Sequence, residues 1–195
     1  MMIVIRETRT VEITNITTRS EDDEPIRISG YAAVFNSRTS IGNFFDEVIK
    51  PGAFKSSIND KKADIRALFN HDWDKVLGRT KADTLSLSED DKGLKFDLEL
   101  PNTTYAKDLA ASMERGDIDQ CSFGFFVTGE EWDYNQEPAL RTITDVELYE
   151  ISVVSMPAYE DTEASLVRSK DLDAKVEKRM NLLNKINEVL KCSSI

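Results

Sequence analysis

The chain has 195 residues, 40% of them hydrophobic and 31% charged, and a net charge of −11. That length suits one ordinary domain with room for a real core, and the composition is that of a water-soluble globular protein. The acidic balance argues against free nucleic acid or an anionic membrane as main partner, since phosphate contacts need clustered Lys and Arg.

The opening Met1-Met2-Ile3-Val4-Ile5-Arg6-Glu7 is charged too early for a secretory signal. No apolar run approaches the roughly 20 residues of a membrane helix. The expectation is an intracellular protein. Residues 3–18 alternate branched or threonine side chains with charge, the pattern of a strand. Ser20 to Pro25 breaks it as an acidic turn. Strand character resumes from Ile26 to Phe35, with a bulge or bend expected around Gly30. Phe44 to Ile49 is a short apolar run stopped by Pro51-Gly52, and Ala53 to Ile58 suits one or two helical turns.

Asp64 to His71 reads as a strand whose end presents His71. Val76 to Thr80, Thr84 to Ser88 and Gly93 to Leu100 read as further short strands between polar turns. Asn102 to Arg115 has the signature of a helix. Asn102 or Thr103 can cap it, Leu109 and Met113 share a face, and Gly116 ends it. Ile118 to Gly129, Arg141 to Asp145 and Glu147 to Ser155 complete the strands. Many short strands and few helices imply a mainly β, or α+β, fold with a closed or nearly closed β-structure.

The pattern changes after Asp171. Leu172, Val176, Met180, Leu183, Ile186 and Leu190 recur at helical spacing, predicting an amphipathic helix of about 20 residues. From Ser169 onward, six Lys/Arg face four Asp/Glu, so this stretch is slightly basic beside an acidic body. The expected organisation is a domain over residues 1–168 and a helical tail over 169–195. The tail packs on the body, pairs with another chain, or is removed.

The chemistry concentrates in Gln120-Cys121-Ser122-Phe123-Gly124-Phe125-Phe126 and in His71, the only histidine. A serine hydroxyl needs a base to become a nucleophile, and imidazole is the side chain best tuned for that at neutral pH. A strand anchored by Phe123, Phe125 and Phe126 would hold Ser122 rigidly, and Gly124 lets the backbone pass close to something. The alternative is a core serine bonded to backbone and a surface histidine at a strand end. Asp72 neighbours His71 but points to the other strand face, so the acceptor orienting the imidazole should come from elsewhere.

Glu150 sits inside an apolar stretch, where a carboxylate is costly unless paired. It is the candidate orienting acid, with Glu147 as fallback. Alternation places the two on opposite faces. Glu150 could instead pair with a buried arginine such as Arg141. Two cysteines, Cys121 and Cys192, are too few for a disulfide framework. With one histidine and no Cys-x-x-Cys, no metal site and no cofactor is expected. Cys121 is itself a candidate nucleophile, on the opposite face from Ser122. A small-substrate esterase is a further reading, but the Gly-x-Ser-x-Gly elbow lacks its leading glycine.

Five blocks carry a resemblance: Gly30-Tyr31-Ala32-Ala33-Val34-Phe35-Asn36; Glu47 to Phe54; Leu68-Phe69-Asn70-His71-Asp72; Ser122-Phe123-Gly124-Phe125; and Leu148 to Val154 followed by Pro157-Ala158-Tyr159. In order and spacing they resemble the prohead serine proteases of tailed bacteriophages, from about Ile26 to Thr162. The resemblance implies a fold related to herpesvirus assemblin, a β-barrel with flanking helices. It also implies a Ser–His–acid site with Ser122 as nucleophile, His71 as base and Glu150 as third member. The herpesvirus relatives use a second histidine there, which this chain lacks, so a carboxylate takes its place. The implied work is capsid maturation inside the immature shell in the host cytoplasm. The implied partners are scaffold protein or the scaffold-like arm of the major capsid protein, and the protease itself. Homodimer formation is left open, and the rival reading is an inactive capsid-assembly module with the same fold.

Overall fold

A computed structural model describes residues 6–12, 25–42 and 44–155, with Glu12 described by its backbone alone. The tail helix expected over 169–195, its boundary at 168 and the acidic turn Ser20–Glu24 lie outside the described residues.

Among the described residues, ten strands and two α-helices follow in the order β1 (Arg6–Glu12), β2 (Arg27–Val34), β3 (Thr39–Ile41), β4 (Phe45–Ile49), α1 (Lys55–Asn59), β5 (Arg66–Phe69), β6 (Asp72–Arg79), β7 (Leu85–Glu89), β8 (Gly93–Glu99), α2 (Thr104–Glu114), β9 (Gln120–Asp133) and β10 (Ala139–Val154). Seven strands form one mixed sheet. Its main path runs β1-β9-β10-β4-β3, with β5 on β10 and β6 on β5. The other three pair as β2-β8-β7. The two sheets share one core: Ile28, Phe96 and Leu98 from the smaller sheet meet Phe123, Phe125 and Ile151 from the larger, with Leu109 and Met113 of α2.

Most expected elements form, with informative shifts. The irregularity expected at Gly30 falls between Tyr31 and Ala33. Leu109 and Met113 are buried together on α2. The helix ends as read: Gly116 takes a positive φ of 78° and donates to the Met113 carbonyl at 3.0 Å, while Asp117 N–H donates to Ser112. The side-chain cap does not form, and Thr103 Oγ1 is buried without a partner among the described residues. The two strands expected over 141–155 are one 16-residue strand, β10, with irregular register at three points. The break read at Val146 is a shift of pairing register inside the strand.

A charge network ties β1 to the sheet. Arg141 on β10 reaches Glu7 at 2.9 Å, Glu47 at 3.0 Å and Glu130 at 2.7 Å, and Arg9 reaches Glu47 at 2.6 Å. Arg141 and Glu47 are almost fully buried. Burial pushes the Glu7 carboxyl up, but hydrogen bonds and charge from Arg141 and Arg9 outweigh it and hold Glu7 below the usual range. Arg141 is thus committed to three other carboxylates. Removing one partner of such a buried set leaves the others uncompensated. Arg141→Ala is expected to cost about 3–5 kcal/mol, read as a fall in the midpoint of chemical unfolding.

Candidate active site

Strand β9 is the spine of the site. Its odd positions Cys121, Phe123 and Phe125 enter the core, and Phe123 and Phe125 stack at 5.0 Å. Alternation turns Ser122 and Gly124 to the other face. Antiparallel pairing with β10 sets Ser152 directly opposite Ser122, and Glu150 opposite Gly124. Directly opposed residues project to the same side, so Ser122, Ser152 and Glu150 share one face. Thr10 of β1 lies opposite Ser122 on its other flank.

His71 arrives from a hairpin. β5 and β6 are joined by Asn70 and His71 alone, and both have positive φ, 54° and 57°. That is the signature of a two-residue turn whose second position usually belongs to glycine. A histidine held there is strained, and the surroundings must over-determine it. They do. Asn70 N–H donates to the Val153 carbonyl at 2.9 Å, and Asn70 Oδ1 accepts from Ser155 N–H at 2.8 Å. His71 N–H donates to Ser152 Oγ at 3.3 Å. The turn is therefore docked on β10 beside Ser122.

The His71 ring meets Glu150: Nδ1 lies 2.7 Å from Oε1. Glu150 is fully buried. With this carboxylate ionised, its oxygens only accept, so Nδ1 is the donor and Nε2 is left with its lone pair. His71 Nε2 and Ser122 Oγ are both buried, and neither has a hydrogen-bond partner among the described residues. The geometry makes the His71–Glu150 link and brings Ser122 to the same face. A direct Ser122–His71 hydrogen bond is not formed, as is common before substrate binds.

The other candidates fall elsewhere. Asp72 caps its own turn, accepting from Asp74 N–H at 3.0 Å and pairing with Lys75 at 3.4 Å. Glu147 is exposed and lines a surface cleft with Lys62, Asp145 and Tyr149. The expected opposition of Glu147 and Glu150 fails for a definite reason. A register shift between Leu148 and Glu150 leaves Tyr149 as an extra residue, so Glu147 lies opposite Phe126 and both glutamates take the Ser122 face. Only Glu150 reaches the imidazole. Cys121 faces the core. Burial, and then the charge of Glu150, push its thiol far above the usual range, so no thiolate forms.

Gly124 shows what approaches it. A Cβ there would lie 2.5 Å from Glu150 Oε1 and 2.5 Å from Tyr149 Oη. Glu150 can lie across β9 toward His71 only because this position has no side chain. Gly124→Ala is expected to displace the carboxylate, lower turnover about 100-fold and cost about 1–3 kcal/mol. Steady-state kinetics beside thermal unfolding checks both. Nothing in the sequence singles out Ser152 or the bulge at Tyr149. The strand expected over Asp64–His71 ends at Phe69, so His71 falls in the turn, and Asn70, which tolerates a left-handed backbone, is the local sign of it.

Comparison with known proteins identifies the family. A family profile for caudovirus prohead serine proteases matches residues 14–177. The chain is 36% identical over 145 residues to the prohead protease of Enterobacteria phage HK97, covering 73% of this chain and 60% of that protein. It is 30% identical over 147 residues to the prohead protease of Escherichia phage T5, covering 74% of this chain and 64% of that protein. It thus spans less than two thirds of the length of these curated relatives. The solved structure of the bacteriophage T4 capsid assembly protease superposes with a TM-score of 0.51 at 10% identity, over 76% of this chain and 96% of that one, a likeness of fold. The profile match over most of the chain, with two relatives at this identity, decides the matter: the chain belongs to the caudovirus prohead serine protease family.

Proposed function

We propose that the chain is a serine endopeptidase of capsid maturation, with Ser122 as nucleophile, His71 as general base and Glu150 as orienting acid. The observation that carries this reading is the 2.7 Å contact between His71 Nδ1 and Glu150 Oε1, on a strained turn docked beside the cross-strand neighbour of Ser122. Ser122 Oγ attacks a scissile peptide carbonyl while His71 Nε2 takes its proton. The Glu150 carboxylate holds the tautomer and stabilises the imidazolium. The imidazolium then protonates the leaving amine. Water attacks the acyl ester, giving its proton to His71, and the serine is released.

Ser122 is fully buried, so a substrate carbonyl reaches Oγ only when the groups above it part. The reactive state is an opened one. The substrates under this reading are scaffold protein or the scaffold-like arm of the major capsid protein, and the chain itself, inside the prohead in the host-cell cytoplasm. The test is co-expression with the capsid precursor of the same phage. A shortened precursor is expected with the unaltered chain and a full-length one with Ser122→Ala. An uncut precursor with the unaltered chain, together with no fluorophosphonate labelling at Ser122, would favour an inactive assembly module.

A further inference from the structure

We infer that Ser152 is a positioning residue of this site: its hydroxyl locks the Glu150 carboxylate and the His71 backbone into one arrangement and thereby aims the imidazole. The inference rests on the catalytic reading of Ser122, His71 and Glu150.

Ser152 is fully buried on β10, directly across from Ser122. Its Oγ lies 2.6 Å from Glu150 Oε2 and 3.3 Å from His71 N. The directions of these two bonds are forced. An ionised carboxylate can only accept and a backbone N–H can only donate, so the hydroxyl donates to Glu150 and accepts from His71. Its single proton is thereby committed.

Two consequences follow. The Glu150 carboxylate is pinned at both oxygens, Oε2 by Ser152 and Oε1 by His71 Nδ1. Its terminal torsion, otherwise broad, is set. And the strained turn is held from below, because the N–H of the left-handed His71 is tied to the same hydroxyl. Ring and carboxylate are referenced to one atom. Ser122, the neighbouring hydroxyl, takes part in none of this, and its Oγ stays without a partner among the described residues. Of two adjacent serines on one face, one is bound into the support and the other is left free to react. A serine kept only for packing would have no reason to bond two groups of the same reaction.

Threonine and valine separate this role from packing, because they share a shape and differ only in the hydroxyl. Both suit a strand. The readout is the rate at which a fluorophosphonate probe labels Ser122, measured against probe concentration, with Ser122→Ala as blank. Ser152→Thr should keep the maximal labelling rate close to that of the unaltered chain. Ser152→Val should lower it about 100-fold with the half-saturating probe concentration unchanged.

Equal maximal rates for the two variants overturn the role of Ser152. Absence of labelling at Ser122 in the unaltered chain overturns the catalytic reading first, and the two failures are thereby distinct. Should Ser152→Val not fold, Ser152→Ala and the imidazole N–H resonance of His71 replace it. That proton should be protected from exchange in the unaltered chain and exchange freely in Ser152→Ala. Equal protection in both overturns the inference.

Discussion

Ser122→Ala is expected to lower kcat for cleavage of the capsid precursor about a millionfold, the loss that follows removal of a serine nucleophile, while the unfolding temperature stays level or rises. The two halves of this expectation have one cause. Ser122 Oγ is buried with no hydrogen-bond partner among the described residues, so the hydroxyl has been taken from water with nothing in return. Deleting such a group removes a desolvation cost rather than a bond. A structural serine would behave the other way, since its alanine variant would leave a partner orphaned and lose stability. Kinetics and calorimetry on the same variant therefore separate the two roles. A variant that unfolds several degrees earlier and still cuts the precursor would mark Ser122 as a packing residue.

Glu150→Gln is expected to lower kcat about ten-thousandfold at nearly unchanged stability. The amide fills the same space, and its oxygen can still accept from Ser152. Toward His71 the exchange is damaging. A neutral amide no longer stabilises the imidazolium. If its NH2 group faces Nδ1, the ring must carry its proton on Nε2, the atom that has to receive the serine proton. Glu147→Gln serves as control. Glu147 is exposed and does not touch the imidazole, so its variant should cut at the unaltered rate. A loss confined to Glu147→Gln would transfer the role to the fallback position and undo the argument from the 2.7 Å contact.

Much of this layout was legible residue by residue. Alternation along Gln120–Val127 separates Cys121 from Ser122, and the structure puts the first in the core and the second on the site face. Gly124 signalled a close approach, and the groups that approach are Glu150 Oε1 and Tyr149 Oη. An apolar frame around Glu150 signalled a paired carboxylate, and its partner is His71 rather than Arg141. Gly116 ends α2 as its position required. These are local properties, carried by side-chain type and by a period of two or 3.6 residues.

The rest had no local signal. One register shift at Tyr149 puts Glu147 and Glu150 on the same face, against simple alternation. Whether a strand takes an extra residue depends on its partner, which for Tyr149 is the distant Gly124–Phe125 segment of β9. Ser152 is an ordinary serine in a strand until β9 sets Ser122 opposite it and the hairpin of β5 and β6 lowers His71 onto it. Even the fusion of two expected strands into β10 reflects three partners, since β4, β5 and β9 all pair along its length.

By itself, then, the chain's order of residues determined the β-rich class and the family blocks, and narrowed the candidates to His71 as base, Ser122 or Cys121 as nucleophile and Glu150 or Glu147 as acid. Tertiary structure alone decided which carboxylate meets the imidazole, which second serine supports it, and that Ser122 lies covered. The physical reason is range. Propensity and periodicity act over a few neighbours, whereas a hydrogen bond between residues 79 positions apart exists only once pairing of distant strands has set their register.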